Sequence, residues 1–585
     1  MSTAQLPAPP KLRRYLLGCA IAMIVLIPLW TIFVMSVIQP TSLMSQEQTM
    51  KVRLWWWVAG PITVIALSAG ARWTMATKNA QPLALEQVKA QQPRGLTDKE
   101  KRQYVLEVIG LGVTLDIYRQ GALWYELQKG SPHTTIREQD KNKYPWSKNA
   151  RDGQTGNRYG HTLENGANDT PTYWGVPVFN AHAPIHDPDM MDQPNNPSMG
   201  LADGANSSGM QFHLFVVGPR RFDERPDRIL DDVFAFFDAH PDLPYIVLNS
   251  SDDMYMRNVT RAPGTPTLST NGNEIPAMPD ASALFVLARR ERVDAVRPFA
   301  FEDVDDDRAT VAKLNQHGFA RRLFLAYDAL SRSLPRSDRR DDRPPAVSDW
   351  LTATAQFARL PEINGTGTST SELLSDVAER GHRPPKEWKP TPWFPIPWNK
   401  AQLEKFDRRP TLGFIHRPTF VKFFDKDGRP LTRADERQKA MQAGWDQALQ
   451  TLPEAQRKAA PARVIAATGG NTNQMSVWHG VLNDYASKGG PELTANAPGL
   501  LIDTDRRLGN TGAATLFMQM AIGVMGSYRD GGVSAAVNMR DPNEASIIMV
   551  SPPSDALRKT QHHPNGGDVF SHHGMPAVDP ENYKQ

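Results

Sequence analysis

From residue 104 onward, short apolar, β-branched runs alternate with stretches of helical spacing, and the alternation occurs twice in the same order. In the first round Tyr104–Val113 reads as a strand, Arg119–Lys129 as a helix, and Tyr173–Phe179 as a strand after a long polar excursion. A weak helix near Leu201–Ser208 and a strand over Phe212–Val217 follow. Pro226–Ala239 then has helical spacing, with Ile229, Val233, Phe236 and Phe237 on its buried side. Tyr245–Leu248 and Ala283–Leu287 close the round as strands, and a helix over Val311–Leu334 leads out. In the second round Thr411–Phe424 is a strand and Thr432–Leu449 a helix, through Ala440, Met441, Trp445 and Leu449. Arg463–Ala467 is a buried-type strand, and Asn473–Ala486 a helix opened by an Asn cap. Gly499–Asp503, Val533–Met539 and Ala545–Val550 are strands around a small-residue helix, Ala513–Tyr528.

Each round is thus strand then helix three times, ending in two strands. Strands alternating with helices imply βαβ crossovers and mostly parallel sheet covered on both faces. The sequence therefore predicts an α/β fold of duplicated βαβαβαββ halves, residues 101–334 and 411–553, with two sheets packed through shared helices. Between them, residues 335–410 hold Pro384, Pro385, Trp388, Pro390, Pro392, Trp393, Pro395, Pro397 and Trp398. Proline fixes an extended backbone, so this Pro/Trp-rich connector is expected to wrap over a surface rather than build a core element. Its Trp rings either face a protein partner or staple the connector to its own domain, the second being the expectation.

Ahead of this body lie two uncharged stretches, Tyr15–Gln39 and Leu54–Ala71, the second opening with Trp55, Trp56 and Trp57. Runs of this length suit a bilayer, and Trp suits its boundary. Lys11, Arg13 and Arg14 precede the first stretch, and Arg72, Lys78, Lys89 and Arg94 follow the second. Residues 1–75 are expected to form an inner-membrane hairpin of two transmembrane helices with both ends cytoplasmic, and 76–100 a stalk. The rival expectation, a signal anchor followed by a peripheral segment, places the body in the periplasm. Residues 554–585 read as a flexible tail.

Composition narrows the chemistry. A net charge of +3 over 585 residues gives no face for nucleic acid. The one cysteine, Cys19, lies in the first uncharged stretch, so the body has no thiol nucleophile, disulfide or cysteine-rich zinc site. No G-x-S-x-G elbow, P-loop or H-E-x-x-H occurs. Asp252-Asp253, and the acidic run of Glu302, Asp303, Asp305, Asp306 and Asp307, could hold a hard cation, but solvated loop carboxylates are the expectation. His562, His563, His572 and His573 could bind zinc and are expected to be a polar tail instead. Arg220, Arg221 and Arg225 precede a helix start that could hold a partner carboxylate, a solvated charge run being the expectation. No catalytic, cofactor or metal site is expected, and the partner-binding residues stay open.

Two segments carry a resemblance. Tyr104–Lys129 (YVLEVIGLGVTLDIYRQGALWYELQK) and Leu508–Ser527 (LGNTGAATLFMQMAIGVMGS) resemble the opening and the late GAA helix start of β-ketoacyl synthases and thiolases. That resemblance implies a thiolase-like fold, and the departures from it imply lost chemistry. The family's catalytic Cys would fall in the turn Val217–Arg221, and its two His near Thr468 and at Asn510. A thiolate attacks only as the anion beside a base, so a body lacking all three groups cannot run that reaction.

A closer resemblance covers nearly the whole body. Its segments are Ile136-Arg137-Glu138-Gln139-Asp140, Tyr144-Pro145-Trp146, Pro171-Thr172-Tyr173-Trp174-Gly175, Phe234–Tyr245 (FAFFDAHPDLPY), Thr391–Asn399 (TPWFPIPWN) and Asp503–Ala514 (DTDRRLGNTGAA). Together they resemble the type VI lipase adaptor family. The resemblance implies a non-enzymatic adaptor that binds a lipase-class toxin and passes it to the spike-tip protein of the secretion machine. The alternative is an acyl-transfer enzyme of thiolase-like fold with unorthodox residues, or a structural membrane component.

Overall fold

The computed structural model describes residues 104–571, less 145–147, 168–169, 171–174, 185–213, 261–274, 303–326, 328, 335–343, 358–384, 386 and 565. The expected membrane hairpin, the stalk and the helix near Leu201–Ser208 lie outside the described residues, as does most of the helix expected over Val311–Leu334. Among the described residues no helix is long and apolar enough to cross a membrane.

The first half runs β1 (Val105–Leu115), β2 (Tyr118–Arg119), α1 (Gly121–Gln128), α2 (Lys148–Ala167), β3 (Gly175–Ala181) and β4 (Leu214–Arg221). It continues with α3 (Ile229–Ala239), β5 (Tyr245–Asp252), α4 (Met254–Thr260) and β6 (Ala281–Ala288). The connector contributes α5 (Val347–Phe357) and α6 (Lys400–Asp407). In the second half come β7 (Gly413–His416), β8 (Thr419–Lys422), α7 (Ala434–Leu449), β9 (Arg463–Ala467) and α8 (Thr472–Ser487). Then follow β10 (Leu501–Asp503), α9 (Thr504–Arg507), α10 (Thr515–Asp530), β11 (Ser534–Asn538) and β12 (Glu544–Ser551).

The strands form one sheet in the order β10-β9-β11-β12-β7-β1-β6-β5-β3-β4, with β2 on β1 and β8 on β12. Within it the two halves repeat. In the first, β5, β3 and β4 run parallel, and β6 lies antiparallel between β5 and β1. In the second, β11, β9 and β10 run parallel, and β12 lies antiparallel between β11 and β7. The duplicated α/β order read from the sequence is therefore present.

The expectation of two separate sheets is not. β1 and β7 pair antiparallel, from Val105 opposite His416 to Val108 opposite Gly413, and fuse the halves into one surface. Unfused, each half would end in a buried strand with unpaired N–H and C=O groups, which the mutual pairing satisfies.

Helix α2 was read as polar excursion and is instead a packed element. Its backbone runs so close over β1 that a Cβ on Gly112 would sit 1.8 Å from the Thr162 carbonyl oxygen. Only glycine permits that approach. On the other half α10 is buried along its whole length from Thr515 to Tyr528, and small residues such as Ala521, Gly523 and Gly526 let it lie in the centre. Of the residues expected inside α3, Ile229, Val233 and Phe237 are buried, while Phe236 is partly buried against the core.

The connector departs from its expected role. Trp350, Trp393, Phe394, Ile396, Trp398 and Phe406 are buried in the main core, with Trp398 5.2 Å from Phe406 and 6.4 Å from Tyr245. Trp rings bury large apolar areas, so this segment is core as well as wrapping, and its rings staple rather than project. After β12, the expected tail begins with a helix over Asp555–Thr560 and buries Phe570 against Tyr528 at 5.3 Å.

Candidate functional site

Open α/β sheets bind ligands beyond the carboxyl ends of their parallel strands. In the first half β5 ends in Asp252, and the side chains gathered there are charged and buried. Asp116, Arg158, Asp252, Asp253 and Asp280 are each about nineteen-twentieths buried or more. The expectation of solvated carboxylates at Asp252-Asp253 is thus overturned: both side chains are buried, and both oxygens of Asp252 and Oδ1 of Asp253 have partners within the protein.

Arg257 Nε donates to Asp252 Oδ1 at 2.6 Å, and the Ala513 N–H donates to Asp252 Oδ2 at 2.7 Å. Asp253 Oδ1 accepts the Met256 N–H at 2.8 Å, which caps α4. Asp280 accepts from the Met254 N–H at 3.0 Å, from Thr155 Oγ1 at 2.9 Å and from the Arg158 guanidinium. Tyr144 donates its hydroxyl to Asp116 Oδ1 at 2.9 Å. Burial, and then the nearby Asp280 charge, push the Asp253 carboxyl up, and burial also raises Asp116. These groups join α2, α4, β5 and the start of α10. Each described oxygen contact is already satisfied from within, which suits a joint rather than a reacting centre.

The second half has its own cluster at the ends of β9, β10 and β11. The Thr468 and Gly469 N–H groups both donate to Asp505 Oδ2 at 2.7 Å. Arg540 donates to Thr515 Oγ1 at 2.6 Å and to Asn510 Oδ1, and its Nε lies 3.9 Å from Asp505. Thr468 and Asn510, where the thiolase resemblance led histidines to be sought, do gather here through Arg540 and Asp505. The segment Val217–Arg221, expected as a turn, lies within strand β4.

Of the three arginines expected in solvent, Arg221 and Arg225 are paired with carboxylates, and Arg220 lies over the Phe222 ring. Arg221 Nε donates to Asp232 at 2.8 Å. Arg225 binds Asp227 at 2.8 and 2.9 Å and reaches Glu544 on β12, which Arg228 Nε also engages at 2.8 Å. Through Glu544, Arg225 and Arg228 tie the first half to the second. Glu302 pairs with Lys400 at the surface, and the rest of that acidic run lies outside the described residues. His562 and His563 are described and His572 and His573 are not. Among the described residues no group of His, Cys, Asp and Glu could hold a metal ion.

Among the described residues there is a nucleophile-and-base contact. His416 Nε2 lies 2.7 Å from Ser551 Oγ, and His416 Nδ1 3.0 Å from the Thr451 carbonyl oxygen. The carbonyl can only accept, so Nδ1 carries the proton and Nε2 accepts from the serine. Burial lowers the His416 pKa to about 4. Ser551 and His416 are both buried in the core, and Gln456 Oε1 is a second acceptor 3.1 Å from the same hydroxyl, competing with the imidazole for its one hydrogen. The pair fastens β7 to β12.

Sequence reading missed Arg158, Arg257, Asp280, Glu544, Asp505 and Arg540. Asp280, Asp505, Arg540 and Glu544 lie at or beside strand ends, and several of the contacts join residues far apart in the chain, as Arg158 with Asp280 and Arg225 with Glu544 do.

The fold and its polar joints define a duplicated α/β scaffold held together by buried ion pairs. The chain belongs to the type VI lipase adapter family: the N-terminal model of type VI lipase adapter protein Tla3 matches residues 104–271, and the C-terminal model matches 412–552. The two matches fall one on each half. Among solved structures it is similar to the ishigamide ketosynthase/chain length factor, at 9% identity and TM-score 0.37, over 77% of this chain and 100% of that one. It is also similar to human mitochondrial 3-ketoacyl-CoA thiolase in complex with CoA, at 8% identity and TM-score 0.30, over 77% and 98%. A Streptomyces albus oxazolomycin ketosynthase domain matches at 8% identity and TM-score 0.36, over 81% and 99%. The fold is read from the strand order itself.

Proposed function

We propose that this protein is a non-enzymatic adaptor that binds a lipase-class effector and helps to load it onto the spike of the type VI secretion machine. The observation that carries this reading is the match of both adapter models, one to each half of the body. The sequence supports it further. The body lacks cysteine, and on the thiolase resemblance the two histidines would fall near Thr468 and at Asn510, neither of which is histidine. Tethering to the inner membrane through residues 1–75, with the body on the cytoplasmic side, would hold the adaptor near the assembling machine. The test is co-expression of the full chain with a lipase encoded beside its gene, followed by affinity purification. Retention of the lipase supports the adaptor, and its loss in the wash counts against it.

A second reading, acyl transfer by unorthodox residues, is favoured by one observation: Thr468 and Asn510 share the Arg540–Asp505 cluster. Turnover of acyl thioesters by the purified protein, lost on changing Asn510→Ala, would support this reading over the first.

A further inference from the structure

Asp505 binds as a small anion would. Its Oδ2 takes two successive backbone N–H groups, those of Thr468 and Gly469, each at 2.7 Å. Successive N–H groups pointing into one concavity form an anion-binding nest. The loop that follows supports this arrangement, since Gly469 and Gly470 hold φ of +66° and +72°, a region that favours glycine. Arg540 supplies positive charge, with Nε 3.9 Å from Asp505 Oδ1. A further, independent observation comes from Thr468, whose hydroxyl is buried and has no hydrogen-bond partner. A buried polar atom without a partner marks a place where a polar group or water is accommodated.

The neighbours explain why the carboxylate comes from within. Asp505 sits on the single turn α9, whose first residue Thr504 donates to the Ala466 carbonyl at 3.0 Å. That contact pins the turn against the end of β9 and leaves Asp505 beside the nest. The Gly469 and Asn510 rim is exposed, so the site lies at the surface rather than in the core.

We propose that the Thr468–Gly469 loop with Arg540 is a carboxylate-binding site that the chain fills with its own Asp505. Emptied of that side chain, it takes a small carboxylate from solution. Changing Asp505→Ala removes the carboxylate and leaves a formate-sized space facing two N–H donors and a guanidinium.

The experiment measures thermal unfolding of the full chain in sodium formate and in sodium chloride at equal ionic strength. Ligand that binds only the folded state raises Tm. The D505A protein is expected to melt below the unsubstituted protein in chloride and to regain a few degrees in formate. The unsubstituted protein should melt alike in both salts. So should D505N, whose amide still fills the space. Equal melting of D505A in the two salts overturns the proposal, as does a formate response in D505N of the same size. If D505A fails to fold in chloride, its refolding is compared in the two salts. Recovery in formate supports the site, and no recovery overturns it.

Discussion

Asp252 at the end of β5 accepts the backbone N–H of Ala513 at 2.7 Å, so a carboxylate of the first half closes the start of the central helix of the second. Between them stands Gly512, with φ of +53°, where a Cβ would fall 1.8 Å from Asp252 Oδ2. Helix starts present unpaired N–H groups and a partial positive charge, and a carboxylate offsets both.

Gly512→Ala is therefore expected to destabilise the protein by at least about 2 kcal/mol, from left-handed backbone strain and from the displaced carboxylate together. Denaturant unfolding of the full chain checks this. A variant within about 0.5 kcal/mol of the unsubstituted protein would show the contact to be dispensable.

Glu544 on β12 receives both Arg225 and Arg228 from the first half, with its side chain 9% exposed. Removing one member of a mostly buried ion pair leaves the others desolvated and uncompensated. Glu544→Ala is expected to cost about 2 kcal/mol, the partial exposure of Arg228 holding the figure below that for a fully buried pair. Urea midpoints with and without added salt test it, since this loss should depend less on salt than that of the exposed Lys488–Asp484 pair.

Asp253 gives a pH dependence with a definite sign. Burial, followed by the Asp280 charge, raises its carboxyl from 3.8 to about 7, so the folded state holds the proton more tightly than the unfolded chain. Its contribution to stability is thus fully present below the ordinary carboxylate range and is lost as pH rises through the folded value. Asp253→Asn keeps a side-chain acceptor for the Met256 N–H and removes that titration. The stability difference between variant and parent should therefore shift in favour of the variant from pH 4 to pH 8. A difference that stays flat across that range refutes the assignment.

Trp393 is fully buried and packs 6.0 Å from Phe236 and 5.6 Å from His240, edge to face. Trp393→Ala is expected to cost about 3–5 kcal/mol, as large-to-small core changes do. A variant of unchanged stability that alone loses a protein partner would restore the surface reading of the connector.

Much of the secondary structure could be read from the residues alone. Arg463–Ala467 matched its strand end for end, a short run rich in apolar residues and too brief for a helix of ordinary length. The expected Asn cap of α8 is Asn471, whose side chain accepts the N–H groups of Asn473 and Gln474. The strand expected over Thr411–Phe424 is broken in two between His416 and Thr419, where Pro418 lacks the N–H that a ladder needs.

The rest depended on partners distant in sequence. Local pattern determined the α/β class, the duplication and the absence of a thiol in the body, since periodicity and composition are properties of neighbouring residues. Tertiary structure alone decided that Lys148–Ala167 is a helix, that the connector's tryptophans are core, and that β1 meets β7 in one sheet. It also decided that Asp252, Asp280, Glu544 and Asp505 are held within the protein rather than solvated. A carboxylate's fate depends on whether a guanidinium or an N–H from elsewhere in the chain reaches it, and in a linear sequence that distance is not written.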